Sequence, residues 1–438
     1  MTGKITWDRL YLTLGVILIG GGIPYMDKRF EHRMATNDVR FIGKDGSPLK
    51  NKKIAVSQLN HKFLFSCGAF DTVPLLNNEV EGEEKKLLEE RLEKWLALFN
   101  GATLPFYWGG FEHQRGKTRA EQTKKAAIWL KDKGITVKGH PLCWHTATAP
   151  WLMDLTNEEI LDAQLDRIHR DVTDFKGIID MWDVINEVVI MPIFDKYDNG
   201  ITRICKELGR IPLIRKVFAA AREANPQAIL LLNDFNTSIN YEILIEGCLE
   251  SGIPIDVIGI QSHQHQGFWG VEKIHEVLDR FSHFGLPIHF TENTLISGDL
   301  MPPEIVDLND FKVKEWPTTP EGEERQARDV VQMYETLFAH PLVESITTWN
   351  IVDGKWLGAP AGLLRKDNSS KPAYDELLRL IKKEWWSNLT VVTDDNGYVR
   401  IKGVLGDYEA ECEGEKARFE LVKDGSDNSA RTVQLKAE

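Results

Sequence analysis

Two glutamates stand directly after apolar runs of the sequence. Glu187 follows MWDVIN, and Glu292 follows PIHFT. Glycosidic bond cleavage needs such a pair of carboxyl groups, because one protonates the leaving oxygen while the other attacks the sugar or activates water. Either glutamate alone could equally be a surface charge at the end of a strand. Two glutamates that each directly follow an apolar run, with Trp and His neighbours, predict a catalytic pair.

Other apolar runs end in polar side chains as well. These are His140, His145, Asn186, Asn233, Asp234, Gln261, His263 and Trp349. A purely structural set of strands would end in neutral turn residues, so this density indicates one site built from many strand ends. His263 and His265 share a strand face and suggest a metal site as the alternative. No third ligand is evident, and we predict neither a metal nor a cofactor.

Strand-like apolar runs alternate with amphipathic helices from residue 60 onward, a pattern typical of a parallel sheet. The eight strand candidates are KFLFSCGAF, ATLPFYW, ITVKGHPLCW, IIDMWDVINE, AILLLND, DVIGIQSH, PIHFTE and SITTWNI. Eight strand–helix units over about 330 residues fit an α/β chain folded as a (β/α)8 TIM barrel, here residues 59–385. A doubly wound sheet is the alternative, but SCGAFDTVP after the first strand lacks the glycine-rich phosphate loop.

The two ends of the chain have a different pattern. Residues 27–58 contain two short strands around a Lys-Asp-Gly turn, and residues 386–438 again show strands and turns. The termini of a barrel lie near each other. We therefore predict that both segments combine into one small β-sandwich-like appendage.

The first 26 residues predict a targeting segment. Lys4 and Arg9 precede an uncharged run from Leu10 to Met26. A basic start and an apolar middle are typical of a secretory signal, and the run is shorter than the roughly 20 residues of a spanning helix. Burial on the domain is the alternative. We expect a signal or anchor in residues 1–26 and a secreted or cell-surface protein, with membrane contact only through an uncleaved anchor. Intracellular action on imported oligosaccharides is the alternative location.

Composition excludes several classes of function. The net charge of -13 argues against a nucleic-acid partner, which needs a basic face. The five cysteines form no C-x-x-C pair, which excludes a thiolate zinc cluster and a dense disulfide framework. The 13 tryptophans could stack on sugars or fill a core, so their number alone decides nothing.

Several segments resemble one enzyme family in its own order. WDVINE resembles the WDVvNE motif of glycoside hydrolase family 10, the endo-1,4-β-xylanase family. Further resemblances are KGHPLCWHT, LNDFN, IGIQSHQH, IHFTE and TTWNIVDGKWLGAPAGLLRKDNSSKPAY, spread over residues 60–380. The resemblance implies a retaining β-glycoside hydrolase that acts without a cofactor on a β-linked oligo- or polysaccharide, most simply plant xylan.

The resemblance also implies roles for single residues. Glu187 matches the acid/base and Glu292 the nucleophile, so their carboxyl groups should lie about 5–5.5 Å apart. Asn186 matches the residue that holds the 2-hydroxyl of the sugar at the cleavage site. His145 matches a second hydrogen-bond partner of that sugar.

Other matches would shape the substrate cleft. His263 matches the histidine that orients the nucleophile, and Gln261 lies two residues away on the same strand face. Trp349 and Trp356 match aromatic walls over the sugar, with core packing as the alternative for each. We expect His140 to be a satisfied strand-end histidine that also contacts the site.

The departures from the family pattern fall in FNGATLPFYWGGFEHQRG, residues 99–116. Trp108 matches the family's tryptophan there, but Tyr107 replaces a lysine and no Glu-Asn pair precedes it. Asn350 replaces a glycine later in the chain. We therefore expect Tyr107 and Trp108 to form an open aromatic floor on the non-reducing side of the cleft. Three hypotheses follow: a xylanase-like hydrolase, a β-glycosidase for a different or decorated glycan, and a carbohydrate-binding barrel without turnover. The presence of both glutamates argues against the third.

Overall fold

The computed structural model describes residues 27–423 and 431–437. The predicted signal or anchor, residues 1–26, lies outside the described residues. The strands are β1 (Met34–Ile42), β2 (Lys53–His61), β3 (Leu64–Gly68), β4 (Gly101–Pro105), β5 (Thr136–His140), β6 (Met181–Asn186), β7 (Ile229–Asp234), β8 (Val257–Gln264), β9 (Ile288–Leu295), β10 (Val343–Thr348), β11 (Asn388–Val392), β12 (Tyr398–Val404), β13 (Gly406–Cys412), β14 (Glu415–Leu421), β15 (Arg431–Gln434) and β16 (Lys436–Ala437).

Helices separate the strands of the central part of the chain. The α-helices are α1 (Thr72–Leu76), α2 (Gly82–Leu98), α3 (Trp108–Phe111), α4 (Ala120–Asp132), α5 (Asn157–Asp174), α6 (Gly200–Leu208), α7 (Arg210–Ala224), α8 (Ile239–Glu250), α9 (Val271–Ser282), α10 (Pro320–Phe338) and α11 (Pro372–Arg379). Short 3-10 turns occupy Lys28–Arg33, Pro150–Asp154, Met191–Ile193 and Leu308–Asp310, and a π-helical turn occupies Leu380–Glu384. No helix in the described ranges is long and apolar enough to cross a bilayer.

Eight parallel strands close into a barrel in the order β10-β3-β4-β5-β6-β7-β8-β9. All six residues of β6 and all eight of β9 are buried. Such continuous burial is expected of parallel strands whose outer face is covered by helices and whose inner face fills the barrel. The predicted α/β (β/α)8 TIM barrel is confirmed.

Local signals set the ends of the barrel helices. Helix α5 begins with a capping box, in which the Thr156 side chain accepts from the Glu159 backbone N–H and the Glu159 carboxylate accepts from that of Thr156. Helix α10 begins with Thr319 as N-cap and Pro320 in the first turn. Inside the sheet, Gly139 leaves room for the Trp182 indole, since a Cβ there would lie 2.2 Å from the ring. These features seat β5 and β6, which carry part of the site.

Residues 34–59, 387–423 and 431–437 form one compact unit. One sheet has the order β12-β1-β15 and the other β11-β2-β13-β14-β16. Buried side chains from both sheets share one core, including Phe41 of β1 and Val56 of β2. The turn at Asp45 and Gly46 therefore does not close a hairpin, because β1 pairs with β12 and β2 pairs with β11. The short helix Lys28–Arg33 belongs to the barrel unit, residues 60–386.

Candidate active site

Glu187 stands where the chain leaves β6. Its φ of 57° is left-handed, which is uncommon for a residue with a side chain. Its backbone N–H donates to the Asn233 carbonyl at 2.9 Å, and two residues later the Val189 N–H donates to Asp234 Oδ2 at 2.9 Å. The end of β7 therefore holds the turn that carries Glu187.

Glu292 lies within β9 and is 4% exposed. Its Oε1 accepts from Asn233 Nδ2 at 3.0 Å, and its Oε2 lies 3.2 Å from His263 Nε2. Since an ionised carboxylate only accepts, Nε2 of His263 carries the proton in that contact. The pairing of β8 with β9 shifts register after Ile260, which brings Gln261 opposite Glu292.

A chain of side-chain amides joins the two carboxyl groups. Asn233 Nδ2, which holds Glu292, also donates to Asn186 Oδ1 at 2.8 Å. Asn186 Nδ2 donates to Glu187 Oε1 at 3.3 Å, and Gln261 Nε2 donates to the same oxygen at 3.1 Å. We call Asn186, Asn233 and Gln261 the amide network. It ties β6, β7, β8 and β9 together around Glu187 and Glu292.

The position of Asn233 depends on a glycine in the next strand. The Thr291 hydroxyl donates to Asn233 Oδ1 at 2.6 Å, which fixes the orientation of the amide. A Cβ at Gly259 would lie 2.6 Å from the same oxygen, closer than real Cβ contacts come. Any larger residue at this point of β8 would therefore displace the amide that contacts Glu292.

Burial and, to a smaller extent, the charge of Glu292 together raise the pKa of Glu187 to about 8. Hydrogen bonds from Trp144 Nε1, at 2.9 Å, and from Gln261 favour the ionised form but do not outweigh burial. The Glu187 carboxyl therefore holds its proton at neutral pH.

Glu292 is perturbed in the opposite direction. Burial alone would raise its pKa, but His140, His263 and Lys138 outweigh burial and hold the pKa below its usual value. The two glutamates thus differ in protonation at neutral pH, with Glu187 protonated and Glu292 ionised. Two carboxyl groups whose environments push their pKa values apart are typical of an acid and a nucleophile that act together.

A polar column inside the barrel supports Glu292. Lys138 Nζ and His140 Nδ1 both lie 2.7 Å from Asp183 Oδ2. Burial raises the pKa of Asp183, but Lys138 and His140 outweigh it, so the net shift is downward. Because the carboxylate accepts from Nδ1, the opposite nitrogen of His140 faces Glu292, 3.8 Å from Oε1.

Comparison with known proteins agrees with this geometry. The sequence profile of Glycosyl hydrolase family 10 matches residues 104–380, more than half of the chain. The chain belongs to glycosyl hydrolase family 10. The resemblance found in the sequence is thereby confirmed.

This family 10 protein is similar to several xylanases. The Endo-1,4-beta-xylanase B of Thermotoga neapolitana is 27% identical over 298 residues, which cover 63% of this chain and 78% of that protein. The Endo-1,4-beta-xylanase/feruloyl esterase of Xylanibacter ruminicola is 26% identical over 59% of this chain, and the match spans only 39% of its length. The crystal structure of native xylanase 10B from Thermotoga maritima shares the fold with a TM-score of 0.59, at 23% identity over 74% of this chain and 96% of that one.

Three aromatic side chains of the family 10 barrel lie beside the two histidines that face Glu292. The Trp349 ring is 5.1 Å from His140, and Trp356 stacks flat on His263 at 4.0 Å. Tyr107 lies edge-on to His140 at 5.6 Å. Burial raises the pKa of Tyr107, and the charges of Glu292 and Glu187 raise it further, so its phenol stays neutral.

The loop that carries Trp356 is anchored by a buried ion pair. Lys371 Nζ lies 2.5 Å from Asp353 Oδ1, 2.7 Å from Ser297 Oγ and 2.9 Å from the Gly362 carbonyl. Both charged side chains are buried, Lys371 completely. Asp353 therefore has an anchoring role through its contact with Lys371.

The contacts that the structure gives for Trp108 and His145 are with residues other than Glu187 and Glu292. Trp108 Nε1 donates to Glu112 at 3.1 Å, and the Arg167 guanidinium lies 4.9 Å above its ring. His145 is buried against Phe194, with ring centroids 4.6 Å apart. Within the described part of the chain, neither side chain bonds to the amide network, to Glu187 or to Glu292. Their predicted contact with substrate stays a prediction without support from the geometry.

The expected open aromatic floor of Tyr107 and Trp108 is not formed, because Trp108 is buried. Strand β4 ends at Pro105, and Trp108 begins helix α3 with its ring packed against Trp151 and Arg167. The Gly109 N–H donates to the Ala147 carbonyl at 2.7 Å, which closes this helix against the loop after β5. Tyr107 stays partly exposed and lies beside His140.

Sequence reasoning missed Trp144 and Lys138 and gave Asn233 no role. Trp144 stands four residues beyond the end of β5, where no strand periodicity indicates its direction. Lys138 did carry a signal, because a lysine inside an apolar strand and two residues before His140 must share the barrel interior with it.

His263 of β8 and His265, which directly follows that strand, do not form a metal site with a third ligand in the described residues. In residues 27–423 and 431–437, no group of three His, Cys, Asp or Glu side chains is placed to hold a metal ion. The His265 ring lies between Trp316 and Trp356, with centroids 5.6 and 4.9 Å away. The chemistry that this site can perform rests on Glu187 and Glu292.

Proposed function

We propose that this protein is a retaining β-glycoside hydrolase that acts like an endo-1,4-β-xylanase on plant polysaccharide. The observation that carries the proposal is the pair Glu187 and Glu292, joined by one amide network, with pKa values shifted in opposite directions. The names of the relatives support xylan as the simplest substrate.

In the first step, a carboxylate oxygen of Glu292 attacks the anomeric carbon. The bond to the leaving oxygen breaks, and Glu187 gives its proton to that oxygen. Glu292 is then an ester of the sugar, and Glu187 is ionised. The donors around each glutamate favour this outcome, since Trp144 and Gln261 already point at the carboxyl that becomes negative.

In the second step, water attacks the same carbon and Glu187 takes its proton. Glu292 leaves as a carboxylate, so both groups return to their starting state with the anomeric configuration retained. The esterified Glu292 has no charge. In this intermediate the pKa of Glu187 is therefore lower than in the free enzyme. It rises again when Glu292 leaves as a carboxylate.

A different or decorated β-glycan is the second candidate substrate, and Tyr107 favours it. A neutral phenol stands where the family pattern has a lysine, next to His140 and Trp144. A phenol offers one hydroxyl and a ring face, whereas an ammonium offers three donors and a charge. The sugar bound beside Tyr107 would therefore be held more by stacking than in a typical family member.

The test is hydrolysis of a panel of β-glycans and aryl β-glycosides with product analysis. Wild-type protein should release xylo-oligosaccharides from xylan. Glu292→Gln should lose activity on every substrate that the wild type cleaves, whereas the matched variant Glu272→Gln, on the exposed side of α9, should keep it. Full activity in Glu292→Gln would refute the nucleophile. Cleavage of another β-glycan in preference to xylan would select the second candidate.

We also propose that the protein works outside the cell or on its surface, because a polysaccharide is too large to enter intact. Fractionation of the native source would test this. Activity confined to the cytoplasm would contradict it.

A further inference from the structure

A cavity of about 480 Å³ lies beside the loop that carries Trp356. Its walls come from residues 311–316 after β9, from residues 352–366 after β10, and from Arg91 of α2. Neither Glu187 nor Glu292 nor any member of the amide network lines it. The volume falls within the roughly 300–1,000 Å³ of small-molecule sites.

Basic side chains dominate this cavity in a protein of net charge -13. The basic residues that line it are Arg91, Lys312, Lys314, Lys355 and Lys366. The acidic ones are Glu315 and Asp353, and Asp353 is already paired with the buried Lys371. The cavity is thus positively charged although the protein as a whole is negative. A concave surface concentrates the electric field of such charges.

Three of these cations have no acidic partner. Arg91 and Lys355 both contact the Asp71 carboxylate. Within residues 27–423 and 431–437, Lys312, Lys314 and Lys366 make neither an ion pair nor a hydrogen bond. Lys366 nevertheless has a defined place, since its Cε would lie 3.2 Å from a Cβ at Gly354 and its chain therefore covers that glycine.

The cavity also has an apolar wall that leads toward the glutamates. The rings of Phe311 and Trp316 meet at 4.7 Å, and Leu357 faces the same space. Trp316 contacts His265, and His265 contacts Trp356, so aromatic side chains are continuous from the cavity to the site. Rings beside cations suit a sugar whose face stacks while a charged substituent is neutralised.

We propose that this cavity binds an anionic sugar unit, bearing a carboxylate or a sulfate ester, attached to the β-glycan in the neighbouring cleft. The inference rests on the proposed function for the identity of the backbone. The overall negative charge of the protein repels an anionic glycan, and the lysine cluster offsets that repulsion where the side group enters.

Binding of small probes tests the cavity without any turnover. The cavity variant is Lys312→Gln/Lys314→Gln/Lys366→Gln, and the matched control is Lys62→Gln/Lys125→Gln/Lys216→Gln, three exposed lysines that do not line the cavity.

Glucuronate, glucose 6-sulfate and glucose are titrated into each protein at low salt. We expect at least one anion to bind about tenfold more tightly than glucose to the wild type and the control, and about fivefold more weakly to the cavity variant than to the wild type. The anion that binds more tightly identifies the substituent. Equal binding of all three sugars, or no loss in the cavity variant, would overturn the proposal.

Kinetics separate this inference from the proposed function. The measured quantity is the ratio of kcat/KM for a xylo-oligosaccharide with one glucuronic acid side group to that for the undecorated oligosaccharide, with the sulfated analogue in parallel. The ratio for the preferred anion should fall about fivefold in the cavity variant and stay constant in the control. If the wild type cleaves the neutral oligosaccharide but the ratio is the same in all three proteins, the inference fails and the proposed function stands. If no oligosaccharide is cleaved but the anion still binds through the three lysines, the proposed function fails and the cavity remains an anionic sugar site.

Discussion

The pKa of Glu187 predicts an unusual dependence of stability on pH. In the unfolded chain this carboxyl loses its proton near pH 4.5, whereas in the folded barrel it keeps the proton up to about pH 8. Between these values the folded state binds more protons than the unfolded state, so the free energy of unfolding falls as pH rises through this window. Glu187→Gln removes the titration. The variant should therefore gain stability relative to the wild type as pH increases from 5 to 9.

The size of the gain follows from the shift. A change from 4.5 to about 8 is about 3.5 units, which at about 1.4 kcal/mol per unit sets an upper limit of ~5 kcal/mol. Residue Glu187 is partly exposed to solvent, and solvent screening lowers this upper limit. We expect ~2–3 kcal/mol between pH 5 and pH 9, or a relative rise in Tm of about 3–6 °C.

The assay is thermal unfolding followed by tryptophan fluorescence at several pH values. Glu187→Gln also changes the hydrogen bonds to Trp144 and Gln261, but that effect is the same at every pH and cancels in the slope. Glu272→Gln is the matched control and should follow the wild-type curve. Parallel Tm curves for wild type and Glu187→Gln from pH 5 to pH 9 would refute the raised pKa.

Three further substitutions test other parts of the site. Gly259→Ala should lower kcat about 10- to 100-fold through displacement of Asn233, while Gly110→Ala, whose Cβ meets open space, should not; equal kcat values would contradict the steric account. Lys371→Met should cost about 3–5 kcal/mol of unfolding free energy by denaturant titration, because it leaves a buried carboxylate unpaired, and a loss below 1 kcal/mol would contradict that role. Glu187→Ala should slow natural glycans about 10²- to 10⁴-fold but largely spare aryl glycosides with good leaving groups, and equal losses would refute the acid.

The barrel and the two glutamates could be predicted because both depend on local patterns. Apolar runs such as MWDVIN can be recognised without knowledge of their neighbours, and a barrel collects the carboxyl ends of such runs on one face. Glu187 and Glu292 therefore came together in the prediction before any contact was known. The network that joins them could not be predicted in detail, because the direction of the Asn233 amide depends on Thr291 and Gly259 in two other strands.

The segment of residues 99–116 shows where sequence reasoning stops. Its rings predicted an open floor, yet Trp108 is buried under Arg167 because α3 turns back after Pro105 and closes on Ala147. That contact joins segments about 40 residues apart, and no local signal announces it. Similarly, the turn at Asp45 and Gly46 predicted adjacent strands, whereas long-range pairing places β1 and β2 in different sheets.

The shifts in pKa were also beyond the sequence, because they arise from burial and from charges that several strands bring together. Glu292 stays ionised through His140, His263 and Lys138, which come from two other strands. A sequence motif can place a carboxyl group at a strand end. It does not show whether that group is surrounded by donors or by apolar side chains.

The central claim is that Glu292 forms a covalent bond to the sugar, and trapping that intermediate tests it most directly. A β-xylobioside with fluorine at C2 and a good leaving group slows both steps, yet still lets the first proceed, so the glycosyl-enzyme should accumulate. Mass spectrometry should show the added mass of one 2-fluoroxylobiosyl group on the peptide that contains Glu292, and none in Glu292→Gln. An adduct on another residue, or an unchanged mass together with products of inverted configuration, would contradict the account.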